Sequence, residues 1–135
     1  MKTKIPFLAV TLIIAGSLIA GSCSGNSDKL YIYNWTYYIP DSIIEQFEEE
    51  YGVTVIYDEY ASNEEMFAKL RAGGGGYDLV FPSEDYVSIM ISHGMLRKLD
   101  KSQLSNMDNL DPRVLNKVIS DPNMDYSVPY YFGAA

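Results

Sequence analysis

Apolar and polar positions along residues 29–92 switch repeatedly between a period near two and one near 3.6. Lys29-Leu30-Tyr31-Ile32-Tyr33-Asn34-Trp35 is dense in aromatic and aliphatic side chains and predicts a first strand over about 29–35. Ile43, Ile44, Phe47 and Tyr51 then recur at helical spacing and predict a helix over about 42–51. Ser42 and Glu45 are spaced as a capping box, Pro40 lies just outside, and Gly52 supplies the stop. Glu48-Glu49-Glu50 is read as the solvated side of that helix. Val53-Thr54-Val55-Ile56-Tyr57 is β-branched and aromatic, hence a second strand.

A second capping box, Ser62 with Glu65, opens a helix that buries Met66, Phe67 and Leu70 and ends at the glycine run 73–76. That run lacks the Lys-Ser/Thr of a phosphate-binding loop and follows a helix instead of preceding one, so it reads as a flexible turn. Tyr77-Asp78-Leu79-Val80-Phe81 predicts a third strand. Ser83 is placed to cap a helix over about 84–92, with Val87, Ile89 and Met90 inward and His93-Gly94 at its end. Beyond it, Leu96 and Leu99 are expected beneath short turns, Asp100, Asp108, Asp111 and Asp121 at turns or caps, and Tyr126 to Phe132 in an extended segment. A β-α-β-α-β-α order predicts an α/β fold. Its sheet is doubly wound and mostly parallel, with helices on both faces and right-handed crossovers.

The first 28 residues say where the chain goes. Lys2 and Lys4 precede an apolar stretch from Ile5 to Ala20 and the small residues Gly21 and Ser22, the pattern of a secretory signal over 1–22. The apolar core is shorter than the roughly 20 residues a spanning helix needs. Cys23, the only cysteine, follows Ala20-Gly21-Ser22 and resembles the lipidation site of a bacterial lipoprotein, although Ala20 stands where leucine is usual. Residues 23–28 are then expected to form a lipid-anchored tether, the alternative being a plain secretory signal with an incidental cysteine, and one cysteine excludes an internal disulfide. Loss of Lys2 and Lys4 leaves eight basic against 18 acidic residues, a net charge of −10. Such a surface repels nucleic acid and weakly attracts cations. No metal-type Cys/His spacing, basic patch or repeat is present in the sequence, and no cofactor is expected.

Candidate chemistry lies where the first strand stops. Asn34-Trp35-Thr36-Tyr37-Tyr38-Ile39-Pro40 presents rings at a strand's carboxyl end, where open α/β sheets bind ligands. Rings in an acidic chain suit an organic cation held by cation–π contact, worth about 0.5–2 kcal/mol at a tryptophan face. Tyr31 and Tyr33, inside the strand, are expected in the core, whereas Trp35 and Tyr38 are the better site candidates. Asp58 and Glu59 follow the second strand and are read as turn residues there, the alternative being a place on the rim of the ligand site.

These fragments carry a resemblance. Leu30-Tyr31-Ile32-Tyr33-Asn34-Trp35-Thr36, Gly52-Val53-Thr54-Val55-Ile56-Tyr57, Ser62-Asn63-Glu64, Tyr77-Asp78-Leu79-Val80 with Pro82-Ser83, and Asn109-Leu110-Asp111-Pro112 resemble the spermidine/putrescine-binding proteins of polyamine ABC importers. Asp125-Tyr126-Ser127 and Pro129-Tyr130 extend the likeness, so that it covers nearly all of 29–135. The resemblance implies one incomplete lobe of a two-lobed type-II solute-binding protein, the second lobe being absent. It implies an amine ligand in the cleft between lobes, a membrane permease as partner, a monomeric receptor, and a place in the bacterial envelope, in the periplasm or on the outer face of the cytoplasmic membrane. The matching ligand positions on this lobe are Trp35, Thr36, Tyr38 and Ser83. The sequence departs from the family twice. Tyr37 replaces a frequent Glu after Trp-Thr, and Asp85 replaces a frequent aromatic after Ser83, so that Asp85 becomes a candidate for choosing among amines. Its competing role is that of an acid at a helix N-terminus, which is the reading for Glu84.

Three other readings compete. The same fold serves receptors for metal ions, amino acids or sugars, and a surface lipoprotein needs no ligand at all. Catalysis is disfavoured: adjacent Glu84 and Asp85 cannot straddle a scissile bond, and neither a Ser-His nor a Cys-His arrangement is evident.

Overall fold

The structure, a computed structural model, describes residues 28–132. The leader and Cys23 lie outside the described residues, as does all of the tether but Asp28. Strand β1 (Lys29–Trp35) pairs in parallel with β2 (Thr54–Tyr60) and with β3 (Leu79–Val80), giving the order β2-β1-β3. Helix α1 (Asp41–Tyr51) links β1 to β2, α2 (Asn63–Arg71) links β2 to β3, and α3 (Glu84–Ser92) follows β3. The chain therefore winds first to one side of β1 and then to the other. Right-handed crossovers put α1 on one face and α2 on the opposite one, the doubly wound arrangement expected.

Tyr33, Tyr60, Met66 and Met90 form the buried cluster, with Trp35, Phe67, Leu70, Tyr77, Val80 and Tyr86 packed around it. Met66 comes from α2 and Met90 from α3, so this face holds the core. The period of two on β1 sends Tyr33 into it and Ile32 and Asn34, both buried, to the α1 face. An ion pair closes the rim: Lys69 Nζ sits 4.4 Å from the Tyr33 ring centroid and donates to Asp58 Oδ2 at 3.2 Å. The Tyr77 hydroxyl donates to the same carboxylate, and this bond together with Lys69 holds Asp58 below the usual carboxylate range.

Several local expectations give way. The Ser42–Glu45 box does not form: α1 starts at Asp41 with Pro40 as N-cap and no side-chain capping bond. Its apolar stripe exists, but Ile43, Phe47 and Tyr51 are exposed, because no further layer of described chain covers that face. Strand β2 runs three residues past Tyr57, which moves Asp58 and Glu59 out of a turn and into the sheet. Strand β3 keeps only two of five expected residues, since Asp78 turns its carboxylate onto the Tyr31 N–H at 2.9 Å. Ile89 is exposed, not inward, and Tyr31 is only half-buried. Residues 126–132 pair with no strand.

Other signals hold. Ser62 Oγ accepts the Glu65 N–H at 3.2 Å, although the Glu65 carboxylate reaches back to Ala61, one residue early. Asp100 and Asp111 cap short helical turns, the second being α4 (Pro112–Leu115), while Asp108 falls within the 3-10 turn Met107–Asn109. Buried Asp121 accepts the N–H groups of Asp125, Tyr126 and Ser127 at 3.0, 2.7 and 2.8 Å and thereby shapes the approach to the final segment.

Candidate functional site: a half-cleft at the carboxyl edge of the sheet

Because β1 is central, the point where winding reverses lies at the carboxyl ends of β1 and β3. Trp35 ends β1 there. Its indole Nε1 donates to the Phe81 carbonyl at 2.8 Å, across to the chain leaving β3, and the Tyr60 hydroxyl donates to the same oxygen. Tyr60 also packs on Trp35 with ring centroids 4.8 Å apart. Burial, above all, pushes the Tyr60 hydroxyl well above the usual tyrosine range, so it remains a donor at any physiological pH. The tryptophan edge is thus fixed by hydrogen bonding, while cation–π contact would use its face. Tyr38, 45% exposed, stands 6.1 Å from Trp35 at a tilt of 31°.

Between the two rings the chain makes a tight turn closed by Tyr38 N–H on the Trp35 carbonyl at 3.3 Å. Thr36 donates to the Tyr60 carbonyl through both its N–H and its hydroxyl, each at 3.1 Å. The hydroxyl proton is therefore occupied, and its lone pairs stay available as acceptors. Tyr37 adopts φ 64, a left-handed conformation, and the residue is 92% exposed. A non-glycine residue held so costs about 1–3 kcal/mol unless its surroundings over-determine it. Here the Glu59 carboxylate accepts the Tyr37 N–H at 2.9 Å.

On the β3 side, Ser83 precedes α3 without a capping bond from its side chain. Asn63, the first residue of α2, holds it instead: Asn63 Nδ2 donates to Ser83 Oγ at 2.7 Å and Asn63 Oδ1 accepts the Ser83 N–H at 3.1 Å. The Ser83 hydroxyl donates in turn to Asp85. Asp85 is thus tied to Ser83, and Glu84 accepts the N–H groups of Ile119 and Ser120, a tether beyond any helix-dipole role. Residues 130 and 131 complete the wall, with Tyr130 edge-on to Phe81 at 4.9 Å and Tyr131 edge-on to Tyr38 at 6.1 Å.

Trp35, Thr36, Tyr38, Ser83 and Asp85 therefore share one edge of the sheet, with Trp35 and the Ser83 turn joined through Phe81. Sequence reasoning weighed Glu59 as a rim residue but gave it to a turn, and it missed Asn63, a helix start with no further role. It also read Tyr130 and Tyr131 as strand. A polar residue one or two places after a strand's last apolar position was the available signal for Glu59. Nothing local marked Asn63, whose partner is 20 residues away.

Comparison with known proteins places this edge in context. Residues 42–134 match the family described as bacterial extracellular solute-binding protein. The chain belongs to that family. It is a family of solute receptors, not of enzymes. The chain is 52% identical over 127 residues to the spermidine/putrescine-binding periplasmic protein of Salmonella typhimurium, covering 91% of this chain and 36% of that protein. It is 39% identical over 125 residues to the putrescine-binding periplasmic protein SpuD of Pseudomonas aeruginosa, covering 92% and 34%. Among solved structures, the TpPotD lipoprotein of Treponema pallidum superposes with TM-score 0.73 at 55% identity, covering 77% of this chain and 33% of that one. The chain spans about a third of the length of the relatives it matches.

Proposed function

We propose that this chain is the first lobe of an extracytoplasmic polyamine receptor that serves an ABC importer. The observation that carries the reading is the Trp35 Nε1–Phe81 carbonyl bond of 2.8 Å, which gathers the tryptophan, the threonine turn and the serine turn at the switch point of the sheet. A protonated alkylamine matches such an edge chemically. Its methylenes lie against the ring faces of Trp35 and Tyr38, and its ammonium protons meet Thr36, Ser83 and Asp85. No bond is made or broken. The relatives named for spermidine and putrescine support the substrate class, and the mature charge of −10 favours a cationic solute.

The receptor works as a monomer, delivers its ligand to a membrane permease, and hangs from the membrane by an acyl chain on Cys23 after removal of residues 1–22. The tether is supported by the Ala20-Gly21-Ser22-Cys23 sequence and by the naming of the Treponema relative as a lipoprotein. Titration calorimetry of the full-length gene product with spermidine and putrescine tests the assignment: heat of binding with either amine is expected. No heat with both, alongside heat with an amino acid, sugar or divalent metal, overturns it.

A further inference from the structure

We infer that Glu59 is a specificity-determining residue of this half-cleft, supplying in space the carboxylate that the Trp35-Thr36-Tyr37 sequence lacks. The inference rests on the polyamine reading above. Relative to the family resemblance, Tyr37 removes an acid from the turn that follows Trp35. In the folded chain an acid reaches that turn from β2: the parallel register pairs Asn34 with Glu59 and Trp35 with Tyr60, so Glu59 lies level with the end of β1. One of its oxygens, Oε1, accepts the Tyr37 N–H at 2.9 Å. The other takes no hydrogen bond among the described residues and remains an acceptor for an ammonium group. The two tasks support one another. Tyr37 is left-handed and almost wholly exposed, a conformation the turn keeps only if something holds its N–H, and the holder is the charged group itself.

The competing role for Glu59 is turn retention alone, and the two roles separate chemically. Glu59→Gln keeps an acceptor oxygen for the Tyr37 N–H and removes the charge. A purely structural residue tolerates that change, whereas an ammonium acceptor does not. Full-length wild type, Glu59→Gln and the double variant Glu59→Gln/Tyr37→Glu are titrated with spermidine and putrescine, and their melting temperatures are compared. Glu59→Gln is expected to melt like the wild type and to bind the preferred amine about tenfold to a hundredfold more weakly, the worth of one charged hydrogen bond. The double variant, which puts a carboxylate on the turn itself, is expected to recover most of that loss. Unchanged affinity in Glu59→Gln, or an affinity loss that the added Tyr37→Glu does not recover, overturns the role of Glu59 and leaves the polyamine reading intact. A wild type that binds neither amine overturns both.

Discussion

Asp121 illustrates how much one side chain decides at the residue scale. It is 6% exposed and meets no cation within its bonds; the N–H groups of Asp125, Tyr126 and Ser127 and the Ser127 hydroxyl point at it instead. Burial pushes its carboxyl up, but those donors outweigh burial and leave it below the ordinary value. A depressed folded value stabilises the protein above the unfolded value, about 3.9, and the stabilisation is lost as pH falls below it. Asp58 shifts the same way, through Tyr77 and Lys69. Asp121→Asn is therefore expected to destabilise at neutral pH by about 1.5–3 kcal/mol and to flatten the loss of stability as pH falls below about 4. Chemical denaturation across that range measures both effects; an unchanged acid slope contradicts the account.

At the scale of elements, the glycine stop of α1 obeys local chemistry more faithfully than the face of that helix obeys burial. Gly52 closes α1 at φ 66 with its N–H on the Glu48 carbonyl at 2.9 Å, and a Cβ added there would meet nothing within 4 Å. Space is not the constraint, so only backbone strain should appear. Gly52→Ala is expected to cost about 1–2 kcal/mol and Gly52→Asn less, since asparagine tolerates the left-handed region. Equal midpoints for all three proteins in urea would refute this. The face of α1 follows a different logic. Ile43, Phe47 and Tyr51 form the stripe that periodicity predicts, yet they stay exposed among the described residues, because a stripe specifies only that a partner is wanted. The short β3 shows the same division: apolar content predicted five residues of strand, but pairing needs free N–H groups, and the Asp78 side chain captures one from β1.

For the molecule as a whole, a half-cleft implies a divided affinity. If a micromolar complex of about −8 kcal/mol draws equally on two lobes, one lobe retains about half, near millimolar. The isolated 135-residue chain is thus expected to bind spermidine only at about millimolar concentration, by NMR titration of its tyrosine and tryptophan rings. Micromolar binding would mean that Trp35, Thr36, Tyr38, Ser83 and Asp85, with Glu59, suffice without a second wall.

The sequence by itself determined the alternation of strands and helices, the parallel doubly wound class and the position of Trp35 at a strand's end with Thr36 and Tyr38 just beyond it. Those properties follow from periodicity, capping residues and chain direction, all of which act over a few neighbours. Only the tertiary structure decided that Asn63 would clasp Ser83, that Glu59 would hold Tyr37, and that Tyr130 and Tyr131 would lie against Phe81 and Tyr38. Each of those contacts joins groups more than 15 residues apart. Their partners are chosen by strand register and sheet order, which no local pattern encodes.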